Sequence, residues 1–255
     1  MKFQLLAAAA LSFGLSAAAP APAAAAEIKV ISANGMREVI AETKAKFEAA
    51  SGHTLAVTVV ETGAIRQRVL AGEAFDVIMV PRDVAEQFLA QNRIAAGSER
   101  PLIRVNFGLA VRADAPKPDT STPEALKRTF LAAQKVLITD PATGGISGVH
   151  LMEVLNKLGI ADEMKVKLVP SRGSGHHAER VVKGEADLAV QAEHEIRCVP
   201  GAGFLDYPKE LRRTIVFTGG VGTATADAAA ARAYLAFVTG PEVAPVIKAK
   251  CLSPA

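Results

Sequence analysis

Three stretches of the sequence place a glycine beside a small polar residue where an apolar strand passes into a helix. A helix start presents unpaired backbone N–H groups and the positive end of the helix dipole, so it can bind an anion. Glycine helps because it has no Cβ to keep a ligand away from the backbone. The three turns are Asn34-Gly35, Thr62-Gly63 and Ser147-Gly148. They predict a ligand site built from backbone amides, two hydroxyls and one side-chain amide.

Glycine, asparagine, serine and threonine are also the ordinary residues of turns and helix caps. Local structure alone would therefore explain any one of these turns. Their recurrence at equivalent strand-to-helix positions favours a shared ligand cleft.

A further polar group lies in the segment SRGSGHHAE. Arg172 could form a bidentate pair with a carboxylate or phosphate, and His176 or His177 could donate a hydrogen bond from a helix start. A solvated loop followed by a capped helix explains the same residues. Arg82, which follows an earlier strand, could border the cleft or pair with a neighbouring acidic residue on the surface. Arg82 and Arg172 are therefore candidates for a supporting layer around the site.

Catalytic and metal-binding templates are not matched. GISGV departs from the serine-hydrolase pattern G-x-S-x-G at Val149, and HEIRC ends in Cys198 where the zinc pattern H-E-x-x-H ends in histidine. No Cys/His cluster has metal-ligand spacing. We predict that the protein is not an enzyme and uses no metal and no cofactor. The alternative is a secreted enzyme on the same fold, with a catalytic pair that these templates do not describe.

The elements that carry the turns alternate between short apolar strands and helices. IKVISA, LAVTVV, FDVIMV and KVLITD are rich in apolar and β-branched residues, and helix-like segments follow them. Ser51-Gly52 closes the first helix, and Thr122 caps a later helix that begins at Pro123. Strict alternation predicts an α/β fold with mostly parallel sheets flanked by helices. Ligands bind such sheets at the carboxyl ends of the strands, where the three turns lie.

Two proline-containing segments predict where the chain passes between two lobes. They are DAPKPD, near 114–119, and YPKELRRT, near 207–214. Two crossings give a discontinuous first lobe, residues 27–110 plus 213–255, and an inserted second lobe, residues 111–212.

The first 26 residues read as a secretory signal peptide, with Lys2 before an apolar run and a small-residue cleavage site before Glu27. Export would place the mature chain in the periplasm. The formal net charge of +3 is small and scattered, so a nucleic-acid partner is not expected. Cys198 and Cys251 could form a disulfide in an oxidising compartment or remain separate thiols.

The sequence resembles the periplasmic solute-binding proteins of ABC importers, of the type II fold, and most closely their molybdate-binding branch. The resemblance covers nearly the whole mature chain and rests on VISANGMREVIAETKAKFEAASG, VVETGAIRQRVLAGEAFDVIMVP, ITDPATGGISGVHLMEVLNKLGI, VVKGEADLAVQ and FVTGPEVAPVIKAKCLSPA. It implies two α/β lobes that close on a small dehydrated oxyanion and deliver it to a membrane permease.

The resemblance also implies individual contacts. Gly35 stands where the family usually has serine, Thr62-Gly63 where it has a serine cluster, and Gln191 where molybdate binders have tyrosine. Ser147-Gly148 matches the family's helix start, and His176 falls near the fourth contact. Asn34 and Gln191 carry both donors and acceptors, which suits an organic acid as well as a metal oxyanion.

We therefore predict a monomeric solute-binding protein that captures a small anion, either a molybdate-like oxyanion or a small carboxylate, and passes it to an ABC permease in the inner membrane. The predicted ligand-binding residues are Asn34, Gly35, Thr62, Gly63, Ser147, Gly148, His176 and Gln191.

Overall fold

The computed structural model describes residues 25–171 and 176–255. Nearly all of the predicted signal peptide, and Arg172 with the residues that follow it to 175, lie outside the described residues. The described part begins as predicted, with strands and helices in alternation. The first elements are β1 (Glu27–Ala33), α1 (Arg37–Ser51), β2 (Thr54–Val60), α2 (Thr62–Leu70), β3 (Val77–Pro81) and α3 (Arg82–Ala90).

A long strand, β4 (Arg100–Arg112), leads into the second set of elements. These elements are α4 (Pro123–Ala132), β5 (Val136–Thr139), α5 (Ile146–Lys157), α6 (Ala161–Met164), β6 (Leu168–Ser171), α7 (His177–Val182), β7 (Leu188–Ala192), α8 (Glu193–Arg197) and β8 (Ala202–Asp206). The chain then returns through β9 (Thr214–Val221), α9 (Ala228–Val238), α10 (Ala244–Ala249) and β10 (Ser253–Pro254).

The strands form one curled sheet in the order β2-β1-β3-β9-β4-β7-β5-β6, with β8 and β10 also paired to β4. Three parallel strands form the centre of each lobe: β2, β1 and β3 in lobe 1, and β7, β5 and β6 in lobe 2. The remaining pairings, around β4 and β9, are antiparallel. The sheet is therefore parallel where it carries the predicted turns, and the predicted α/β class is confirmed.

Strand β4 belongs to both lobes. Its first part, up to Asn106, pairs with β9, and its later part, from Phe107, pairs with β7 and β8. The lobes are thus continuous through one strand, and the exact lobe boundaries given above remain a prediction.

Helix ends follow the residues that predicted them. Gly52 ends α1 with φ of 73°, a left-handed conformation that glycine adopts without strain. The Thr122 hydroxyl accepts a hydrogen bond from the Ala125 N–H at 3.1 Å, and Pro123 occupies the first turn of α4. Four of the elements given above were not predicted: α6, α8, β8 and β10. All four have at most five residues, and α8 follows β7 without an intervening loop.

A disulfide joins Cys198 to Cys251. Cys198 follows α8 in lobe 2, and Cys251 follows α10, which packs against α1 of lobe 1. An ion pair of 3.2 Å between Lys250 and Glu42 also ties this terminal segment to α1. The disulfide therefore links the segment after α8 covalently to the terminal segment that packs on α1. Over residues 25–171 and 176–255, no helix is long and apolar enough to cross a membrane.

Candidate functional site

A cavity of about 50 Å³ lies between the lobes, at the carboxyl ends of β1, β2, β5 and β7. The polar residues in its wall are Asn34, Glu61, Thr62, Thr139, Ser147, His194 and Glu195. The apolar residues and glycine in its wall are Gly35, Val105, Phe107, Ile146, Ala192 and Phe217. The structure thus brings together Asn34, Gly35, Thr62 and Ser147 from the predicted set.

Three long helices begin at this cavity without a side-chain cap. A short 3₁₀ turn, Asn34–Met36, precedes α1, and neither segment has a capping side chain. The starts of α2 and α5 also lack side-chain caps. Among the other helices, Thr122 and Asp227 cap α4 and α9, whereas α3 and α10 also begin without a side-chain cap. The backbone N–H groups at the cavity are consequently left for another partner, as helix starts require.

The Asn34 amide is held between two charged groups. Arg37 Nη2 donates to Asn34 Oδ1 at 2.6 Å, and Asn34 Nδ2 donates to Glu61 Oε1 at 2.8 Å. Nearby on α2, Arg66 pairs with Asp83 at 3.3 Å. Asn34 therefore positions Glu61 in the wall, and its amide is already engaged within the protein.

Thr62 carries the clearest open hydrogen-bonding group. Its side chain is 5% exposed, it lines the cavity, and its Oγ1 is buried without a partner among the described residues. An unpaired buried hydroxyl costs free energy. Across the cavity, Ser147 Oγ donates to Thr139 Oγ1 at 3.0 Å. A ligand oxygen could satisfy Thr62 and contact this hydroxyl pair.

Gly35 and Phe217 explain one departure from the family pattern. A Cβ at Gly35 would lie 2.5 Å from Phe217 Cζ, and Phe217 is 2% exposed. The ring fills the space that a side chain at position 35 would need. It also presents an apolar face to the cavity.

Introducing the serine that the family carries, by Gly35→Ser, should destabilise the protein by about 1–3 kcal/mol because the ring must leave a packed position. Adding Phe217→Leu should recover part of that loss. Urea unfolding of both single variants and the double variant measures the coupling between the two positions. Strictly additive effects would contradict the steric explanation.

The lobes touch beside the cavity through two glycines. A Cβ at Gly63 would lie 2.7 Å from the Thr143 carbonyl oxygen and 3.0 Å from Gly144 Cα. Gly148 is similarly confined, since a Cβ there would lie 1.9 Å from the Thr139 carbonyl oxygen. Gly63 and Gly148 are not in the cavity wall. Their lack of a side chain allows close approach of backbone to backbone.

Two other predicted residues also lie outside the wall. His176 is exposed at the start of α7, with its Nδ1 3.1 Å from Glu179 Oε1. Gln191 is 2% exposed, and its Oε1 accepts a hydrogen bond from the Ala178 N–H at 2.8 Å. Arg82 lines a separate hollow beside α3. Gln191 reaches the site indirectly, because its Nε2 lies 3.5 Å from Glu195 Oε2.

Four polar wall residues lie outside the predicted ligand-binding set: Glu61, Thr139, His194 and Glu195. Glu195 is partly exposed to the cavity, and its Oε2 accepts a hydrogen bond from the Ala192 N–H at 3.3 Å. Desolvation raises the pKa of Glu195 to about 7, with a smaller contribution from the charge of Glu61. Desolvation lowers the pKa of His194 to about 4, so this imidazole is neutral at pH 7. The signal available in the sequence was the direct passage of a buried strand into EHEIR.

No group of three or more His, Cys, Asp or Glu side chains within residues 25–171 and 176–255 is arranged to hold a metal ion. The cavity contains instead a carboxyl group that can gain or lose a proton near neutral pH, uncapped helix starts and hydroxyls. This set of groups can bind an acidic ligand and exchange a proton with it.

Comparison with known proteins identifies relatives over nearly the whole chain. The family model described as bacterial extracellular solute-binding protein matches residues 28–250. An aconitate isomerase from a Pseudomonas species is 28% identical over 236 residues, which cover 89% of this chain and 87% of the relative. The molybdate-binding protein ModA of Azotobacter vinelandii is 26% identical over 229 residues, covering 88% of this chain and 89% of the relative.

The solved structure of the Azotobacter vinelandii periplasmic molybdate-binding protein has a TM-score of 0.68 at 20% identity, covering 88% of this chain and 98% of that one. The two-lobed type II fold and the resemblance to the molybdate-binding branch are therefore confirmed. The prediction that the chain is not an enzyme is contradicted, because a relative matched over most of both chains is an isomerase. The templates behind that prediction describe hydrolases and metalloenzymes, and an isomerase that only moves a proton needs neither pattern.

Proposed function

The chain belongs to the bacterial extracellular solute-binding proteins, and from that premise we propose that it captures a small organic carboxylate in the cavity between its lobes. Closure brings ligand contacts from both lobes together, so the ligand stabilises the closed state. We also propose export by the N-terminal segment, action as a periplasmic monomer and delivery to an ABC permease in the inner membrane.

The observation that carries this proposal is the combination of three uncapped helix starts with the unpartnered hydroxyl of Thr62. Carboxylate oxygens accept hydrogen bonds from such groups and are favoured by the positive ends of helix dipoles. The oxygens of a bound anion would accept hydrogen bonds from the backbone N–H groups that no side chain caps.

The apolar part of the wall favours a carboxylate over a bare oxyanion. Val105, Phe107, Ile146 and Phe217 present carbon surfaces to the cavity. The carbon skeleton of an organic acid gains from contact with them, whereas an oxyanion such as molybdate exposes only oxygen. Glu195, with a pKa of about 7, can also donate a hydrogen bond to a ligand oxygen in its protonated form. The molybdate-like oxyanion remains the competing ligand.

A thermal-shift screen tests the choice of ligand. The samples are molybdate, tungstate, sulfate, phosphate, succinate, citrate, tricarballylate and the two isomers of aconitate. We expect a carboxylate to raise the melting temperature, because a ligand that binds only the folded state stabilises it. A rise with molybdate or tungstate alone would overturn the carboxylate proposal in favour of the oxyanion.

Replacing the open hydroxyl, by Thr62→Val, should weaken the best carboxylate of that screen by about tenfold, because one hydrogen bond to a charged group is lost. The same change should stabilise the ligand-free protein by about 1 kcal/mol, since it removes a buried unsatisfied group. Isothermal titration and urea unfolding measure the two effects.

Thr218→Val is the matched control for this experiment. Thr218 is 6% exposed, and its Oγ1 also has no partner among the described residues, but it lines the hollow beside Arg82. The Thr218→Val variant should be more stable than the wild type and should bind the ligand with unchanged affinity. An unaltered affinity in Thr62→Val would remove Thr62 from the proposed site.

A second candidate function is isomerisation of the bound acid. The aconitate isomerase relative and the carboxyl group of Glu195 in the wall both favour it. Aconitate is an unsaturated tricarboxylate, and mixing either purified isomer with the protein followed by proton NMR would detect its conversion. Binding without conversion would leave capture as the sole function.

A further inference from the structure

Resting on the proposed binding of a carboxylate, we propose that Glu195 is the catalytic acid–base residue of an allylic proton shift in an unsaturated polycarboxylate held in the cavity. Glu195 lies in the cavity wall, and hydrogen bonds to one of its oxygens orient its carboxyl group. The uncapped helix starts beside it provide N–H donors for the substrate.

The Glu195 carboxyl is held through one oxygen. Its Oε2 accepts from the Ala192 N–H at 3.3 Å and faces Gln191 Nε2 at 3.5 Å. In the described part of the chain, its Oε1 accepts no hydrogen bond. Glu195 lines the cavity, so Oε1 is the oxygen that remains for a substrate proton.

Gln191 acts as a positioning residue for this carboxyl. Its Oε1 accepts a hydrogen bond from the Ala178 N–H at 2.8 Å, which fixes the amide so that Nε2 points towards Glu195. The buried amide therefore connects the start of α7 to the cavity wall. This accounts for a polar side chain that is 2% exposed and lies outside the wall.

The surrounding groups allow the carboxyl to change its protonation state near neutral pH. Desolvation and the facing carboxylates Glu61 and Glu38 favour its neutral form, while the Ala192 N–H and Arg37 favour its ionised form. On its own helix, His194 is neutral and Glu193 is bonded to Arg197 and Asn106. With a pKa of about 7, Glu195 is present both as base and as acid at pH 7.

The proton shift needs no other reactant. Glu195 as a carboxylate removes a proton from the methylene carbon next to the double bond, and the C–H electron pair becomes a new C=C bond. The electrons of the old double bond move to its far carbon, which takes the proton back from Glu195. Negative charge that develops on the substrate carboxylates is stabilised by the uncapped helix starts. The enzyme is regenerated, and nothing is oxidised or reduced.

Proton NMR in D₂O with cis-aconitate or trans-aconitate as the probe tests the proposal. The wild-type protein should interconvert the isomers and introduce deuterium at the exchanging carbon. Glu195→Gln should reduce both rates by about 10²–10⁴-fold and leave the dissociation constant within about threefold. Glu195→Asp should keep part of the activity, and wild-type kcat/KM should rise with pH to a plateau above about 7.

Glu193→Gln is the control, because it removes a carboxyl from the same helix that does not line the cavity. It should keep wild-type rates, and circular dichroism should verify the fold of each variant. Full activity in Glu195→Gln would overturn this inference alone, whereas binding of aconitate without conversion or exchange would overturn both this inference and the second candidate function. If no carboxylate binds, the proposed function fails and the inference fails with it.

Discussion

Replacing Cys198 and Cys251 by serine is expected to lower the free energy of unfolding by up to about 4 kcal/mol, the loop-entropy value for the 53-residue separation of the two cysteines. The disulfide restricts the unfolded chain, and its removal restores conformational freedom to that state. Urea unfolding of the double-serine variant against the oxidised wild type measures the loss.

Reduced wild-type protein is the natural comparison for this variant, because it lacks the same bond but keeps both sulfurs. The two should have equal stabilities. A loss below about 1 kcal/mol in the variant would mean that the disulfide adds little to the contacts already made by α10 on α1. The measurement therefore separates the covalent contribution from the packing of the terminal helix.

Replacing Glu195 by glutamine is expected to stabilise the protein by up to about 3 kcal/mol at pH 8 and to change little at pH 4, following from the pKa of about 7. Below the ordinary pKa of 4.5, both folded and unfolded chains hold the proton. As pH rises above that value, the unfolded chain loses the proton first, so the free energy of unfolding of the wild type falls until about pH 7. Glutamine does not ionise, so the variant does not lose stability in this way.

Urea unfolding at pH 4, 6 and 8 measures the predicted divergence of the two proteins. Glu193→Gln should behave in the opposite way. Burial opposes ionisation of Glu193, but the hydrogen bonds from Asn106 and Arg197 outweigh that effect and lower its pKa. Its stabilising contribution is therefore present at high pH. A pH-independent difference between wild type and Glu195→Gln would contradict the raised pKa.

The sequence predicted the fold well because its signals were local. Alternating strands and helices, the Gly52 end of α1 and the Thr122 cap of α4 all follow from residues within a few positions of each other. The missed elements, α6, α8, β8 and β10, are too short for a repeating pattern. The sequence left the pairing of the two cysteines undecided for a different reason. They are 53 residues apart, so whether they meet depends on the tertiary structure.

The site was predicted only where local chemistry determines it. Asn34, Gly35, Thr62 and Ser147 line the cavity because the carboxyl ends of parallel strands meet at one edge. The role of Phe217, a residue far along the chain that fills the space beside Gly35, could not be read from either position alone. The raised pKa of Glu195 likewise depends on burial and on charges brought by other elements.

The meeting of Gly63 with Gly144 affects how long a bound molecule stays. Two residues without side chains bury very little apolar surface against each other. Separating the lobes at this contact therefore exposes little apolar surface to water. This contact therefore adds little to the barrier against opening of the cleft, and the hydrogen bonds that a solute makes with both lobes contribute more to its residence time.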